Sequence, residues 1–192
     1  MATTADIAAI ARSMAAAFDD DPVMVHLLRD PRRRPRQIVS LFTLEAKRAL
    51  QYGALHTTPG NPGAAIWMAP DRWRMGGLET LKMYPMLLTW RSAIFRGLGV
   101  LGRVEKVHPK EPHWYLAALG TAPEHQGRGE GSAALAPILQ RCDDEGLPAY
   151  LESSKESNIP FYRRHGFEVT SEVRVPDGPV FYPMWREPRP ST

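Results

Sequence analysis

Apolar residues recur along this chain with two different spacings, and the changes between them mark its elements. From Thr4 an Ala- and Ile-rich run continues to Phe18 with helical spacing, with Thr4 as its cap and Asp6 in its first turn. Asp19-Asp20-Asp21-Pro22 stops it, and Val23 to Leu28 resume as a short helix. Gln37 to Tyr52 sets Ile38, Leu41, Phe42, Leu44 and Leu50 along one side, and Gly53 ends that helix. Leu55 to Thr58 and Ala64 to Met68 then read as a strand pair turning through Pro59-Gly60-Asn61-Pro62-Gly63. Gly77 to about Val107 returns to helical spacing, with an interruption expected near Gly97 and Gly99. The stripe Met75, Met83, Met86, Trp90 and Phe95 reads as core, or else as an adaptable wall over a substrate pocket.

The second half is more regular. It predicts a strand from His113 to Gly120, a helix from Gly129 to Glu145 and a strand from Ala149 to Glu152. A short helix from Ser157 to His165 follows, then strands from Phe167 to Val175 and from Val180 to Trp185 across Pro176-Asp177-Gly178-Pro179. Strand and helix alternate before two strands meet, which implies an α/β fold, an α+β arrangement on one mixed sheet. Residues 1–187 read as a single domain, with 188–192 as a disordered tail, and no internal repeat is visible.

Composition narrows the class. A chain of 192 residues is long enough to bury a sizeable core without disulfides or metal. Cys142, the only cysteine, excludes an internal disulfide and a cysteine-rich zinc site, and it reads as a structural thiol in a reducing, cytoplasmic setting. The N-terminus lacks a signal-peptide pattern, and the most apolar stretch, Met83 to Leu101, is broken by Pro85, Arg91 and Arg96, so no membrane span is expected. The net charge of +3 and pI near 9.2 owe much to Pro31-Arg32-Arg33-Arg34-Pro35-Arg36. No nucleic-acid motif accompanies that cluster, so it reads as a solvated segment that can steer an anionic cofactor.

The chemistry concentrates in His125-Gln126-Gly127-Arg128-Gly129-Glu130-Gly131-Ser132, between an apolar strand and a helix. Glycines let backbone turn sharply beside a ligand, and the helix start behind them supplies unpaired N–H donors and partial positive charge. The stretch reads as an anion cradle, or taken alone as a plain glycine-rich turn between strand and helix; it is neither a P-loop, which needs Gly-Lys-Ser/Thr, nor a dinucleotide fingerprint, whose third glycine place holds Ser132. What remains is Gln126-x-x-Gly129-x-Gly131.

Asn158-Ile159-Pro160-Phe161-Tyr162-Arg163-Arg164-His165-Gly166-Phe167 is its companion, one helix and one strand further on. The pair resembles the GNAT-type N-acetyltransferases. The stretches His108 to Leu116, Gly146 to Glu152, Pro160 to Phe167 and Val175 to Pro179 look more closely like puromycin N-acetyltransferases, over roughly residues 108 to 187. Two departures stand out. The chain begins almost at its first helix where the family usually opens with a strand, and Glu130 holds a commonly apolar place. A carboxylate there suits the helix dipole but would repel a pyrophosphate unless it points outward, which is the expectation.

The resemblance implies the acyl-CoA N-acyltransferase fold and acetyl-CoA as cosubstrate, with no metal. It implies that backbone N–H groups of Gln126, Gly127, Arg128, Gly129, Glu130, Gly131 and Ser132 hold the pyrophosphate. Leu119, Gly120 and Thr121 would pair with the pantetheine arm like an added strand, and Asn158 and Tyr162 would reach the cofactor. Tyr162 is the candidate general acid toward the leaving thiolate, and the Leu119 N–H the candidate donor to the acetyl oxygen. Glu152 is the first choice as base, with Glu111 and His113 behind it. The plainer alternatives are that Tyr162 is a packed tyrosine with a satisfied hydroxyl, that Glu152 pairs with Arg163 or Arg164, that Glu111 follows Lys110 in a solvated turn, and that His113 packs in a strand. The implied activity is acetylation of a primary amine on a small molecule, such as an aminonucleoside antibiotic, with detoxification as its purpose. A peptide or protein amine acceptor and a non-catalytic acyl-CoA-binding module stay open as rivals, as does assembly into a homodimer.

Overall fold

The computed structural model describes residues 1–74, 90 and 93–189. Helices α1 (Ile7–Ala17), α2 (Pro22–Leu27) and α3 (Arg34–Leu50) precede strands β1 (Leu55–Thr57) and β2 (Gly63–Met68). Helix α4 (Ala93–Val107) leads to β3 (Trp114–Thr121), α5 (Glu130–Glu145), β4 (Ala149–Ser153) and α6 (Ile159–Arg164). Strands β5 (Glu168–Val169), β6 (Val173–Arg174) and β7 (Val180–Arg186) end the described chain. The described strands form one mixed sheet in the order β1-β2-β3-β4-β7-β5, with β6 also paired to β7. Only β3 and β4 run parallel, and α5 crosses between them. No strand precedes α1 among the described residues; instead the Ala2 N–H donates to the Leu55 carbonyl at 3.2 Å.

A bulge in β3 sets the geometry of everything that follows. Ile66 pairs with Ala118 but Trp67 with Leu116, so Ala117 is an extra residue. Such an insertion bends a strand and reverses which face its side chains take. Trp114, before the bulge, faces α5: its indole N–H donates to Glu145 Oε2 at 3.1 Å, and Arg141 lies over its ring. Gly120, after the bulge, faces α1, packed under Met14, Ala17 and Phe18. Pairing of β3 with β4 stops at Leu116↔Leu151, next to the bulge, although both strands continue. The two parallel strands therefore part, and a cleft opens between their C-terminal ends.

Several expectations need correcting. Thr3, not Thr4, caps the first turn, with its N–H and hydroxyl both donating to Asp6 Oδ2. Helix α3 begins at Arg34, ahead of Gln37, because Pro35 suits a first turn, where its missing N–H costs nothing. Helix α4 runs unbroken through Gly97 and Gly99: a glycine weakens a helix by about 1 kcal/mol but does not end one. The strand expected from Phe167 to Val175 is two short pieces, β5 and β6, each against β7. Within the apolar stripe, Trp90 is buried but Phe95 is 80% exposed, so the stripe is not one buried face. Met75, Met83 and Met86 lie outside the described residues, as do residues 190–192 of the expected tail, whereas the Arg189 N–H is tied to Asp143. No helix among the described residues is long and apolar enough to cross a membrane.

Candidate active site

The cleft between β3 and β4 has a volume of about 640 Å³, within the usual range for small-ligand sites. Its floor is Leu116 to Thr121 of β3 and Leu151 to Lys155 after the splay, and its far wall is Ser157, Asn158, Phe161 and Tyr162. Phe18 and Asp21, from the joint between α1 and α2, close the other side. At one end lies the glycine turn.

That turn is built for close approach. Gly127 and Gly129 hold φ of +76° and +85°, a left-handed backbone costly for any residue with a Cβ, and the space a Cβ would take is open at both. Gly129 caps α5, so the unpaired N–H groups of that helix begin at the cleft. Gln126 secures the turn by donating from Nε2 to the Thr121 carbonyl at 3.2 Å. Gly131 packs against Phe161, and the Ser132 hydroxyl is hydrogen-bonded to His165 Nε2 at 2.9 Å. Burial, then Arg164, Arg186 and Arg189, push the His165 imidazole below its usual range, which favours neutral His165 accepting from Ser132. Arg128 is exposed and does not line the cleft. Glu130 is half-buried and lines it, with its Cβ set against Gly63 of β2.

These features fit acetyl-CoA: open glycine positions and a helix start for pyrophosphate, and a β3 segment paired to β2 but free on its β4 side for an extended arm. Asn158, at the head of α6, lines the cleft and makes no side-chain cap bond to that helix.

Tyr162 and Glu152 both line the cleft. Tyr162 is buried between Phe161 and Phe167, and burial first, then the charge of Asp21, raise its phenol above the usual tyrosine range. Glu152 is 5% exposed at its side chain, and it pairs with neither arginine named above. Arg163 reaches Glu168 instead, and Arg164 the Pro160 carbonyl. Its neighbour is His108, with Nδ1 at 3.4 Å from Oε1.

Glu111 is exposed, and neither it nor His113 lines the cleft. His113 is buried, accepts or donates to His108 Nε2 at 3.1 Å, and contacts the Glu111 carbonyl through Nδ1 at 2.6 Å.

Sequence reasoning missed Asp21 altogether. It is 4% exposed, caps α2 through Oδ1 to the Val23 and Met24 N–H groups, and accepts from Ser154 through Oδ2. Burial raises its carboxyl above the usual range, against the pull of those hydrogen bonds. The sequence does carry a signal, since Asp before Pro is a helix-start pattern, but the acidic run Asp19 to Asp21 equally marks the end of the preceding helix.

A family model described as the acetyltransferase (GNAT) family matches residues 93–167. An uncharacterised N-acetyltransferase of Schizosaccharomyces pombe is 30% identical over 176 residues, spanning 85% of this chain and 71% of that protein. A Corynebacterium glutamicum structure described as histone acetyltransferase HPA2 and related acetyltransferase is 25% identical, with a TM-score of 0.70 over 100% of this chain and 96% of its own. A Drosophila melanogaster polyamine N-acetyltransferase shares the fold at 14% identity, with a TM-score of 0.63 over 97% of each chain.

Proposed function

The chain belongs to the GNAT family of N-acetyltransferases, and on that premise we propose that it transfers acetyl from acetyl-CoA to a primary amine of a small molecule. An aminonucleoside of the puromycin kind is the first acceptor to test, with detoxification as the purpose. One observation carries the reading: Glu152 from β4 and Tyr162 from α6 line the same cleft whose end is the glycine turn. The family supplies the donor. The acceptor rests on the residue resemblance.

In this reading the N–H groups of the turn and of the first α5 residues hold the pyrophosphate, and β3 beyond Ala117 pairs with the pantetheine arm. The Leu119 N–H donates to the acetyl oxygen as negative charge develops there. The acceptor side is acidic, since Asp21 and Glu152 are both buried at its edge, and an amine enters as its ammonium ion. Glu152 removes a proton to free the nitrogen lone pair. Tyr162 donates to the departing sulfur. Its raised phenol keeps that proton through neutral pH, but giving it to a thiolate, whose thiol has a pKa of about 8.5, is uphill alone. The donation is therefore coupled to return of a proton from the acetylated nitrogen.

A panel of primary amines, puromycin among them, tests the acceptor by mass spectrometry of the products. Acetylation of puromycin or a related small amine supports the reading. Modification of peptide amines alone would replace it with the peptide acceptor.

A further inference from the structure

Glu152 and His108 meet in an arrangement that is one proton short. His113 Nδ1 lies 2.6 Å from the Glu111 carbonyl, which can only accept, so the ring carries its proton on Nδ1. Burial, opposed by that hydrogen bond, holds the His113 imidazole below its usual range, so its Nε2 is bare and accepts. His108 Nε2, at 3.1 Å, must then be the donor. A neutral His108 with its proton on Nε2 turns a bare Nδ1 toward Glu152 Oε1. These are two acceptors facing each other at 3.4 Å, with side chains 1% and 5% exposed. Neither atom makes a hydrogen bond with any described residue.

Resting on the acetyltransferase reading above, we propose that His108 and His113 are positioning residues that give Glu152 a place to store the proton taken from the acceptor amine. The Glu111 carbonyl sets the His113 tautomer, His113 sets that of His108, and His108 presents its lone pair to the carboxylate. This is the logic by which a third group orients a catalytic base. A proton placed between Oε1 and Nδ1 completes a continuous hydrogen-bonded row from Glu152 to the Glu111 carbonyl.

The step balances. An N–H bond of the ammonium breaks, its proton passes to the Glu152 carboxylate, and the electron pair left on nitrogen forms the new C–N bond. The C–S bond breaks with its pair on sulfur, sulfur takes the Tyr162 proton, and the phenolate recovers the second nitrogen proton. One proton per turnover remains between Glu152 and His108, and it leaves to solvent with the products.

The surroundings hold the row in place. Trp73 stacks on the His108 ring at 3.7 Å, and Tyr115 and Tyr150 meet it edge-on at 5.0 and 4.9 Å. The titratable groups facing it among the described residues are those two tyrosines, Asp71 after β2, and Glu45 of α3, which pairs with Arg48. Burial first, then the Glu152 charge and a hydrogen bond to its carboxylate, raise both phenols, so each keeps its proton as a donor to Glu152 and neither competes as a base. No group of these side chains is arranged to hold a metal ion among the described residues.

Nitrogen NMR of the whole protein with ¹⁵N-labelled histidine, free of substrates, reads the tautomers. At alkaline pH we expect His113 protonated on Nδ1 and His108 on Nε2 alone. His108 found protonated on Nδ1 at alkaline pH overturns the proposal, because the gap would already be filled. Activity supplies an independent arm. In His108→Asn the acid limb of kcat/KM should move down by roughly one pH unit and kcat fall roughly tenfold, with KM for acetyl-CoA unchanged. An unmoved limb in His108→Asn, where Glu152→Gln abolishes it, overturns the relay and spares Glu152 as base. An unmoved limb in Glu152→Gln overturns both. Should His108→Asn not fold, the tautomers decide.

Discussion

Gly120 of β3 lies directly beneath Met14 of α1, so that a Cβ on Gly120 would stand 2.8 Å from Met14 Sδ. Ala17 Cβ and Phe18 Cε2 would each be 3.1 Å away. The thioether can swing aside, but the helix and Phe18 must move. Gly120 therefore places α1, and with it the Phe18 wall of the cleft, as well as lying in the segment read as pairing with the cofactor arm.

Gly120→Ala should cost about 1–3 kcal/mol by overpacking. In a domain of this size that lowers Tm by roughly 2–4 °C per kcal/mol. Thermal melting checks it, and an unchanged Tm would mean that α1 is free to shift.

Gly129→Ala tests the anion cradle apart from the chemistry. Its φ of +85° makes any Cβ strained, by about 1–2 kcal/mol, and the new methyl group stands in space now open beside the start of α5. Calorimetry should show acetyl-CoA bound about tenfold more weakly, equivalent to about 1.4 kcal/mol.

Much of this site is legible in the sequence because its two motifs are local. The glycine turn and the Phe161-Tyr162 helix each carry their own start and stop signals, and the elements between them fix their separation. What is not legible depends on distant pairing. The Ala117 bulge appears only when β3 is laid against β2, and it alone explains why Trp114 and Gly120 face opposite helices. Asp21 meets Ser154 across 133 residues, and His108, just after α4, meets Glu152 of β4. Phe95 shows the reverse limit: its spacing marks a helical face without saying whether anything covers it.

Asp143 should govern acid stability. Arg186, 4% exposed, donates to both of its oxygens at 2.8 Å, and the Arg189 N–H adds a third bond at 2.7 Å. The Arg186 bonds are the chief cause of a carboxyl held below the usual range. A depressed folded value means stability that is present above the unfolded value of about 3.9 and lost as pH falls through the folded one. Asp143→Asn should cost about 3–5 kcal/mol at neutral pH by stranding a buried guanidinium. It should also flatten the acid side of the stability curve, as urea unfolding at about pH 7 and about pH 3 would report.

Tyr162→Phe keeps the buried ring between Phe161 and Phe167 and removes only the hydroxyl. Turnover should fall roughly tenfold or more, with little change in KM for acetyl-CoA, if the phenol is the acid. Because that phenol is raised by burial, the wild-type enzyme should show no loss of activity from its ionisation through neutral pH. Steady-state kinetics of both proteins across pH check the two statements together.

The most direct measurement follows thiol release from acetyl-CoA by the purified protein with and without an added primary amine. Release should depend on the amine, be matched mole for mole by N-acetylated product, and collapse in Glu152→Gln. Thiol released at one slow rate whether or not amine is present, with no acetylated product, would contradict it.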